Sequence, residues 1–195
     1  MNVCILFASP RKDGNTVQLL KPFARHLASC NCQIQQFNLY DMHISPCIAC
    51  RSCQQDWSAP NCCQPDDMQE IFKAVMRCDL LVLASPIYSW YCTPPMKCAL
   101  DRLVYGMNKY YGDEMGPSIW AGKYVALLTT CGYRPDKGAD LWEEGMKRYC
   151  KHSKLHYIGI LAERNRSYQE TFMDEEKAAR AAQFAELCMD TIKNA

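Results

Sequence analysis

The strongest constraint on this chain lies at its start, where the apolar run Val3–Ala8 passes without a spacer into Ser9-Pro10-Arg11-Lys12-Asp13-Gly14-Asn15-Thr16. An apolar run, a polar turn and then apolar residues at helical spacing read as a buried strand, a tight loop and an amphipathic helix. The loop collects hydroxyls, an amide, two cations and a glycine where the first N–H groups of a helix have no intrahelical partner. Such a place suits a phosphate. Its glycine spacing fits neither G-x-G-x-x-G nor G-x-x-x-x-G-K, so a phosphate held here would belong to a mononucleotide. A plain helix cap at Ser9 to Thr16 is the competing explanation.

The same strand-then-helix unit recurs down the chain. Val17, Leu20, Ala24 and Leu27 mark one helix face and Gln18, Lys21 and Arg25 the other, with Pro22 expected to bend the helix or confine it to an early turn. Gln33–Leu39 is a weaker strand suited to an edge. Asp66 and Asp67 open a helix continued by Ile71, Val75 and Cys78. Asp79–Ala84 is apolar on both faces, as the centre of a covered parallel sheet requires. After the loop Ser85–Pro95, Thr93 caps a helix over Met96–Tyr105. Tyr105–Gly122 has no regular pattern and reads as a lid or an interface. Lys123–Thr130 and Leu155–Leu161 are strands; Ala139–Cys150 and Thr171–Ile192 are helices. Strands alternating with helices at this spacing predict an α/β fold, a three-layer sheet with helices on both sides.

Composition narrows the function classes. At 195 residues and 49% hydrophobic, the chain can bury a full core and is read as one domain over 1–195. Its net charge of +1, from 22 basic and 21 acidic residues, leaves no footprint for nucleic acid or membrane. The N-terminal apolar run lacks a signal-peptide pattern, and no apolar stretch approaches the roughly 20 residues that span a bilayer, so a cytoplasmic location is expected. Of the 14 cysteines, Cys4, Cys78, Cys98 and Cys188 fall in predicted core strands or helices, where a thiol acts as a small hydrophobe.

In open parallel sheets ligands sit beyond the carboxyl ends of the strands, and the distinctive loops follow predicted strands one, three and four. The first carries the phosphate chemistry. The others carry Tyr88, Trp90, Tyr91 and Tyr133, which would flank a flat ring, and this favours FMN over a sugar phosphate.

Four strings, in this order and separation, carry a resemblance: Ser9–Thr16; Cys47-Ile48-Ala49-Cys50-Arg51-Ser52-Cys53 with Cys62/Cys63 and Asp66-Asp67-Met68; Ser85-Pro86-Ile87-Tyr88 followed by Pro95–Arg102; and Thr130-Cys131-Gly132. The chain resembles the flavodoxin-like NAD(P)H-dependent FMN reductases, the group with the iron-sulfur flavoproteins and multimeric flavodoxin-like quinone reductases. The resemblance covers nearly all of residues 1 to 165. It implies a flavodoxin-like fold with a five-stranded parallel sheet of order 2-1-3-4-5. It implies that Ser9, Arg11, Asn15 and Thr16 hold the FMN phosphate, that Gly14 permits the turn, that Pro86, Ile87, Tyr88 and Ser89 line the ribityl chain and ring, and that Thr130, Cys131 and Gly132 bound the ring. No catalytic side chain is assigned, because the chemistry belongs to the cofactor.

The activity implied is hydride transfer from NAD(P)H to FMN, then electron transfer to a quinone, nitro compound, free flavin or other small-molecule acceptor, by a homodimer or tetramer. One alternative is an iron-sulfur flavoprotein passing electrons between ferredoxin, a [4Fe-4S] cluster and FMN. Another is a non-catalytic binding or regulatory protein, against which the intact phosphate loop argues.

The segment Asp41–Asp67 is aperiodic and cysteine-rich at about 44–65; a loop of this length in a compact domain tends to be functional or mobile. The C-x2-C-x2-C spacing at Cys47, Cys50 and Cys53 is that of an iron-sulfur ligand set, with Cys62 or Cys63 as the fourth thiolate. The resemblance implies a closer fourth cysteine in cluster-bearing members and a similar pattern in cluster-free ones, which favours a metal-free thiol cover over the cluster, and either over zinc. His43 reads as a surface residue. Lys97 and Asp101 are spaced for an i,i+4 pair, and Arg102 is grouped with them as structural.

Overall fold

Five strands, β1 (Asn2–Phe7), β2 (Gln33–Asn38), β3 (Leu80–Pro86), β4 (Tyr124–Cys131) and β5 (His156–Arg164), pair in parallel in the order β2-β1-β3-β4-β5. They belong to a computed structural model that describes residues 1–167 and 169–195. Helices α1 (Asn15–Ser29), α2 (Met68–Arg77), α3 (Pro94–Met107), α4 (Pro135–Gly138), α5 (Asp140–Ser153) and α6 (Glu175–Lys193) complete the three-layer, flavodoxin-like α/β fold.

The sheet separates two cores because successive side chains on a strand point to opposite faces. Cys4, Leu6, Leu81, Leu83, Val125 and Leu127 face α2, α3 and α5 through residues such as Phe72, Leu100 and Trp142. Val3, Ile5, Leu80, Val82, Ala126 and Leu128 face α1 and α6, meeting Leu19, Phe23, Phe184 and Met189. Strand β2 lies at one edge with its residues at most half-buried, as its weak pattern predicts.

Helix α1 continues through Pro22 to Ser29, so the proline does not sit in an early turn. Its core face is Thr16, Leu19, Leu20, Phe23 and Leu27, so Val17 and Ala24 lie at the flank. Burying a large apolar side chain contributes about 1.5–3 kcal/mol, and four of them outweigh the ~3 kcal/mol cost of one interior proline. Thr93 takes the N-cap position of α3 but makes no side-chain capping bond; its hydroxyl donates to the Ala8 carbonyl at 2.7 Å. Strand β5 runs to Arg164, beyond the predicted Leu161. The terminal helix begins later than expected, at Glu175, because the Asp174 carboxylate caps it by accepting from the Lys177 N–H. Cys4, Cys78 and Cys188 are buried as expected, whereas Cys98 is only partly so.

The stretch read as a lid or interface is in part a fastened corner. α3 reaches Met107, and Asn108 bridges to Ser118. The buried Asn108 Oδ1 accepts from Trp120 Nε1 at 2.8 Å and Ser118 Oγ at 2.9 Å, while its Nδ2 donates to Ser153 Oγ at 2.9 Å. The residues are small and polar in sequence, so periodicity gives no sign of the network. Replacing Asn108 with Ala strands the buried Trp120 Nε1 donor, at a cost of about 1–3 kcal/mol, while Ser118 Oγ can still donate to the Ser153 carbonyl at 2.8 Å. Urea denaturation of Asn108→Ala is therefore expected to show a loss of about 1–3 kcal/mol, and a change under ~0.5 kcal/mol would refute the fastening role.

Candidate functional site

The loops after β1, β3 and β4 meet at the carboxyl edge of the sheet. In the first, Gly14 is the N-cap of α1 with no side-chain capping bond and no acidic residue in the first turn. The helix therefore presents its leading N–H groups to whatever lies outside. Gly14 N–H donates to the Arg11 carbonyl at 3.3 Å, and a Cβ on Gly14 would approach Arg11 Cβ to 2.9 Å. This turn needs a glycine. Ser9 is buried, its hydroxyl within 3.3 Å of the Arg11 N–H, while the Arg11 side chain is exposed and Asn15 half-buried.

A set of small hydroxyls locks the three loops in register. Thr16 Oγ1 and Thr130 Oγ1 are 2.8 Å apart and buried. Ile87 N–H donates to the Thr130 carbonyl at 2.9 Å. Thr129 Oγ1 donates to the Ser85 carbonyl at 2.6 Å, and Ser85 Oγ accepts from Thr93 N–H at 3.1 Å. Ser85, Thr93 and Thr129 were not assigned a site role from sequence, because buried threonines next to strands look like ordinary strand residues.

The second loop is a two-residue hairpin. Tyr88 and Tyr91 exchange backbone hydrogen bonds, and the intervening Ser89 and Trp90 have φ of 50° and 64°. Left-handed backbone at two side-chain-bearing residues carries strain of the kind found at ligand sites. The N–H groups of Ile87 and Tyr88 are already engaged within the protein. Pro86 and Ile87 are half-buried; Tyr88, Trp90 and Tyr133 are exposed. Trp90 stacks on Tyr133 with centroids 5.7 Å apart and planes at 13°, joining the second and third loops. Tyr91 departs from the expected ring-flanking role, since its hydroxyl packs on Gly145 of α5.

In the third loop Cys131 is buried, and burial pushes its thiol up to about 11, so it is no nucleophile at neutral pH. Gly132 is exposed, and a Cβ there would meet no atom within 4 Å. Nothing in the protein's own packing or backbone calls for a glycine at 132.

The cysteine loop forms a second feature beside α3. Cys47, Cys50, Cys53 and Cys62 line one narrow hollow of about 20 Å³, together with Ile48, Arg102 and Tyr105. Cys63 lies outside, its Sγ 3.4 Å from that of Cys50. Of the two candidates for a fourth thiol, the hollow takes Cys62.

Three buried polar side chains hold this loop to the domain. Arg102 makes a two-pronged ion pair with Asp66, at 2.8 and 3.0 Å, with both side chains under 5% exposed. Lys109 Nζ donates to the Cys53 and Ala59 carbonyls at 2.7 and 2.6 Å, and burial pulls its pKa below the usual lysine value. Gln54 Nε2 donates to the Tyr105 carbonyl at 2.7 Å. The Lys97–Asp101 pair forms as expected, at 2.6 Å, without Arg102. His43 is exposed and bonded to Asp67 through its backbone.

Among the described residues, one set of three metal-type ligand atoms lies within 4.8 Å: His26, Cys30 and Glu186. It is too small for an iron-sulfur cluster. Because α1 runs antiparallel to the strands, it also sits at the far end of the sheet from the three loops.

An open parallel sheet with three convergent loops at its carboxyl edge defines a flavodoxin-like ligand-binding protein. Residues 1–141 match the family described as NADPH-dependent FMN reductase, and the chain belongs to that family. It is 30% identical over 115 residues to an iron-sulfur flavoprotein of Archaeoglobus fulgidus, covering 58% of this chain and 51% of the relative. It is also 30% identical over 102 residues to an iron-sulfur flavoprotein of Methanocaldococcus jannaschii, covering 52% and 51%. The chain thus spans about half the length of these curated relatives. The fold is similar to that of the NAD(P)H:quinone oxidoreductase from Methanothermobacter marburgensis, with a TM-score of 0.75 and 18% identity over 95% of this chain and 94% of that one. No helix among the described residues is long and apolar enough to cross a membrane.

Cys50 has a thiol pulled down to about 7, first by the Ser52 hydroxyl, then by the Ser52 backbone and by Cys63. A lowered pKa means that the thiolate is half-formed near that pH and disappears on acidification. In metal-free protein, iodoacetamide labelling read by mass spectrometry should therefore reach half its maximal rate at Cys50 near pH 7, with Cys131 unlabelled. A midpoint close to the ~8.5 of a free cysteine would contradict this.

Proposed function

We propose that this chain is an FMN-dependent oxidoreductase that takes hydride from NAD(P)H and passes the electrons to a small acceptor such as a quinone, nitro compound or flavin. The observation that carries the reading is the convergence of an uncapped helix N-terminus, a strained aromatic hairpin and an open glycine at one sheet edge. The residues fit the cofactor. Leading N–H groups of α1, the Ser9 hydroxyl and the Arg11 cation supply donors to a phosphate, with Asn15 and Thr16 in the first turn. Pro86, Ile87, Tyr88 and Ser89 form one wall, and Thr130, Cys131 and Gly132 the other. FMN, when bound, supplies the hydride and electron chemistry, so no protein acid or nucleophile is required. The exposed Tyr88, Trp90 and Tyr133 bound the side from which a nicotinamide or acceptor would approach, and they offer apolar area for a neighbouring subunit in a homodimer or tetramer.

A second reading is favoured by a specific observation. Four soft thiol ligands line one hollow, as a [4Fe-4S] cluster requires. A buried N–H of Arg102 has no partner among the described residues, which suits a site meant to hold a negatively charged group. On this reading Cys47, Cys50, Cys53 and Cys62 are the ligands, and a ferredoxin-like protein becomes a candidate electron partner. The competing account of the same loop is the metal-free thiol cover.

Gly132→Val is expected to weaken FMN binding at least about tenfold, or ~1.4 kcal/mol, with the melting temperature of the flavin-free protein unchanged. Unaltered affinity by fluorescence titration would remove the third loop from the site. Anaerobic addition of NADPH should bleach the flavin band; a flavin left oxidised by both NADPH and NADH would defeat the nicotinamide step. Iron and acid-labile sulfide near four each per chain, the count for one [4Fe-4S] group, would support the cluster, and their absence after anaerobic reconstitution would restore the metal-free cover.

A further inference from the structure

Two thiols of the cysteine loop stand apart from the rest. The Sγ atoms of Cys50 and Cys63 are 3.4 Å apart, and both residues are exposed. Cys53 is buried, its thiol donating to the Tyr105 carbonyl at 3.2 Å, and Cys62 is half-buried and packed against the core. Among the described residues, no set of three metal-type ligand atoms within 4.8 Å of one another includes the Cys50 or the Cys63 sulfur. They stand as a pair, which is the arrangement of a dithiol.

The surrounding chain holds both sulfurs in place. Cys50 sits between Ala49 and Arg51, whose φ of 53° and 61° put two side-chain-bearing residues in the left-handed region. Such strain collects where a loop must present one side chain in one direction. Ser52 Oγ is 3.2 Å from the Cys50 sulfur, in position to donate to it. Around Cys63, Gln69 Nε2 donates to the Cys62 and Gln64 carbonyls at 3.1 and 3.0 Å, and Gln64 Nε2 donates to the Pro46 carbonyl at 3.2 Å. A disulfide bond is about 2.05 Å long, which leaves the sulfurs roughly 1.4 Å to close. That movement is within reach of exposed side chains in a segment without α-helix or strand.

We propose that Cys50 and Cys63 are a redox modification site, converted to a disulfide across the loop by a two-electron oxidant of the hydroperoxide class. The Cys50 sulfur takes one oxygen of hydrogen peroxide as the O–O bond breaks, giving a sulfenic acid and one water. The Cys63 sulfur then displaces the hydroxyl from that sulfur, forming the S–S bond, and the Cys63 thiol proton leaves with the hydroxyl as a second water. The two thiols lose two electrons and two protons, and the peroxide is reduced to two waters. Cys50 reacts first because the Ser52 hydroxyl can donate to its sulfur. A sulfur in a disulfide is not a thiolate ligand, so the oxidised pair withholds Cys50 from the four-cysteine set of the second reading, on which the proposal does not depend.

The test uses the full chain with FMN bound, freed of iron by chelation, reduced and desalted. Hydrogen peroxide is expected to lower the intact mass by two hydrogens. Trypsin, which cuts after Arg51, should then yield two fragments that stay joined through Cys50 and Cys63 until dithiothreitol is added. The link should be lost in Cys63→Ser, where dimedone captures the sulfenic acid at Cys50, and should persist in Cys62→Ser, which removes the neighbouring thiol. Wild-type protein in which Cys50 and Cys63 both remain open to alkylation after peroxide overturns the inference. So does a wild-type link that joins Cys50 to Cys53 or Cys62, a readout that decides the matter even if a variant fails to fold.

Discussion

A parallel sheet covered on both faces governs everything else in this molecule. Parallel strands need crossovers of a dozen residues or more, and the crossovers become helices on the two faces. Each strand must then be apolar on both sides, as β1, β3 and β4 are, with Val3 and Cys4, Leu80 and Leu81, and Val125 and Ala126 all buried. The same geometry sends every strand-to-helix loop to one edge. Chemistry can therefore collect there from residues as far apart in sequence as Thr16 and Thr130, whose hydroxyls meet at 2.8 Å.

The cysteine loop obeys a different rule, because it has no apolar face with which to enter the core. It is held instead by buried charges and amides, with Arg102 on Asp66, Lys109 on the Cys53 and Ala59 carbonyls, and Gln54 on the Tyr105 carbonyl. Buried ionic groups are a poor way to gain stability but a good way to fix a unique arrangement, since alternative placements leave a charge unpaired. The loop thus has one arrangement despite lacking repetitive structure. Four thiols of an irregular segment then line one hollow, with Cys53 buried and Cys62 packed against the core.

Legibility in the sequence followed the same division. Strands β1, β3 and β4 declare themselves by unbroken apolar runs, and the loops that follow them are located once the strands are. Helix α1 was visible, but its register was misjudged: Leu19 and Phe23, not Val17 and Ala24, face the sheet, and Pro22 proved tolerable because tertiary burial overrides propensity. The corner held by Asn108, Ser118 and Ser153 was invisible, since hydrogen bonds between residues 35 and 45 apart in sequence leave no periodic trace. Arg102 could be seen within a recognisable string, yet the neighbouring Lys97–Asp101 spacing suggested a surface pair and drew the reading away from its interior role. What separates Cys62 from Cys63 is one step along an irregular loop, and only coordinates resolve that.

Helix α3 ties the two features into one device. Its entry, Thr93, is bonded to Ala8 and Ser85 in the network that registers the three loops. Its far half carries Arg102 and Tyr105, and Asn108 and Lys109 follow directly, so the cysteine loop hangs from the same rod. At 1.5 Å of rise per residue, the nine steps from Thr93 to Arg102 amount to roughly 13 Å along the axis. A helix packed through Met96, Leu100 and Leu103, all at most 3% exposed, cannot tilt at one end without disturbing the other. The spacing between the proposed flavin loops and the cysteine hollow is therefore a property of the core.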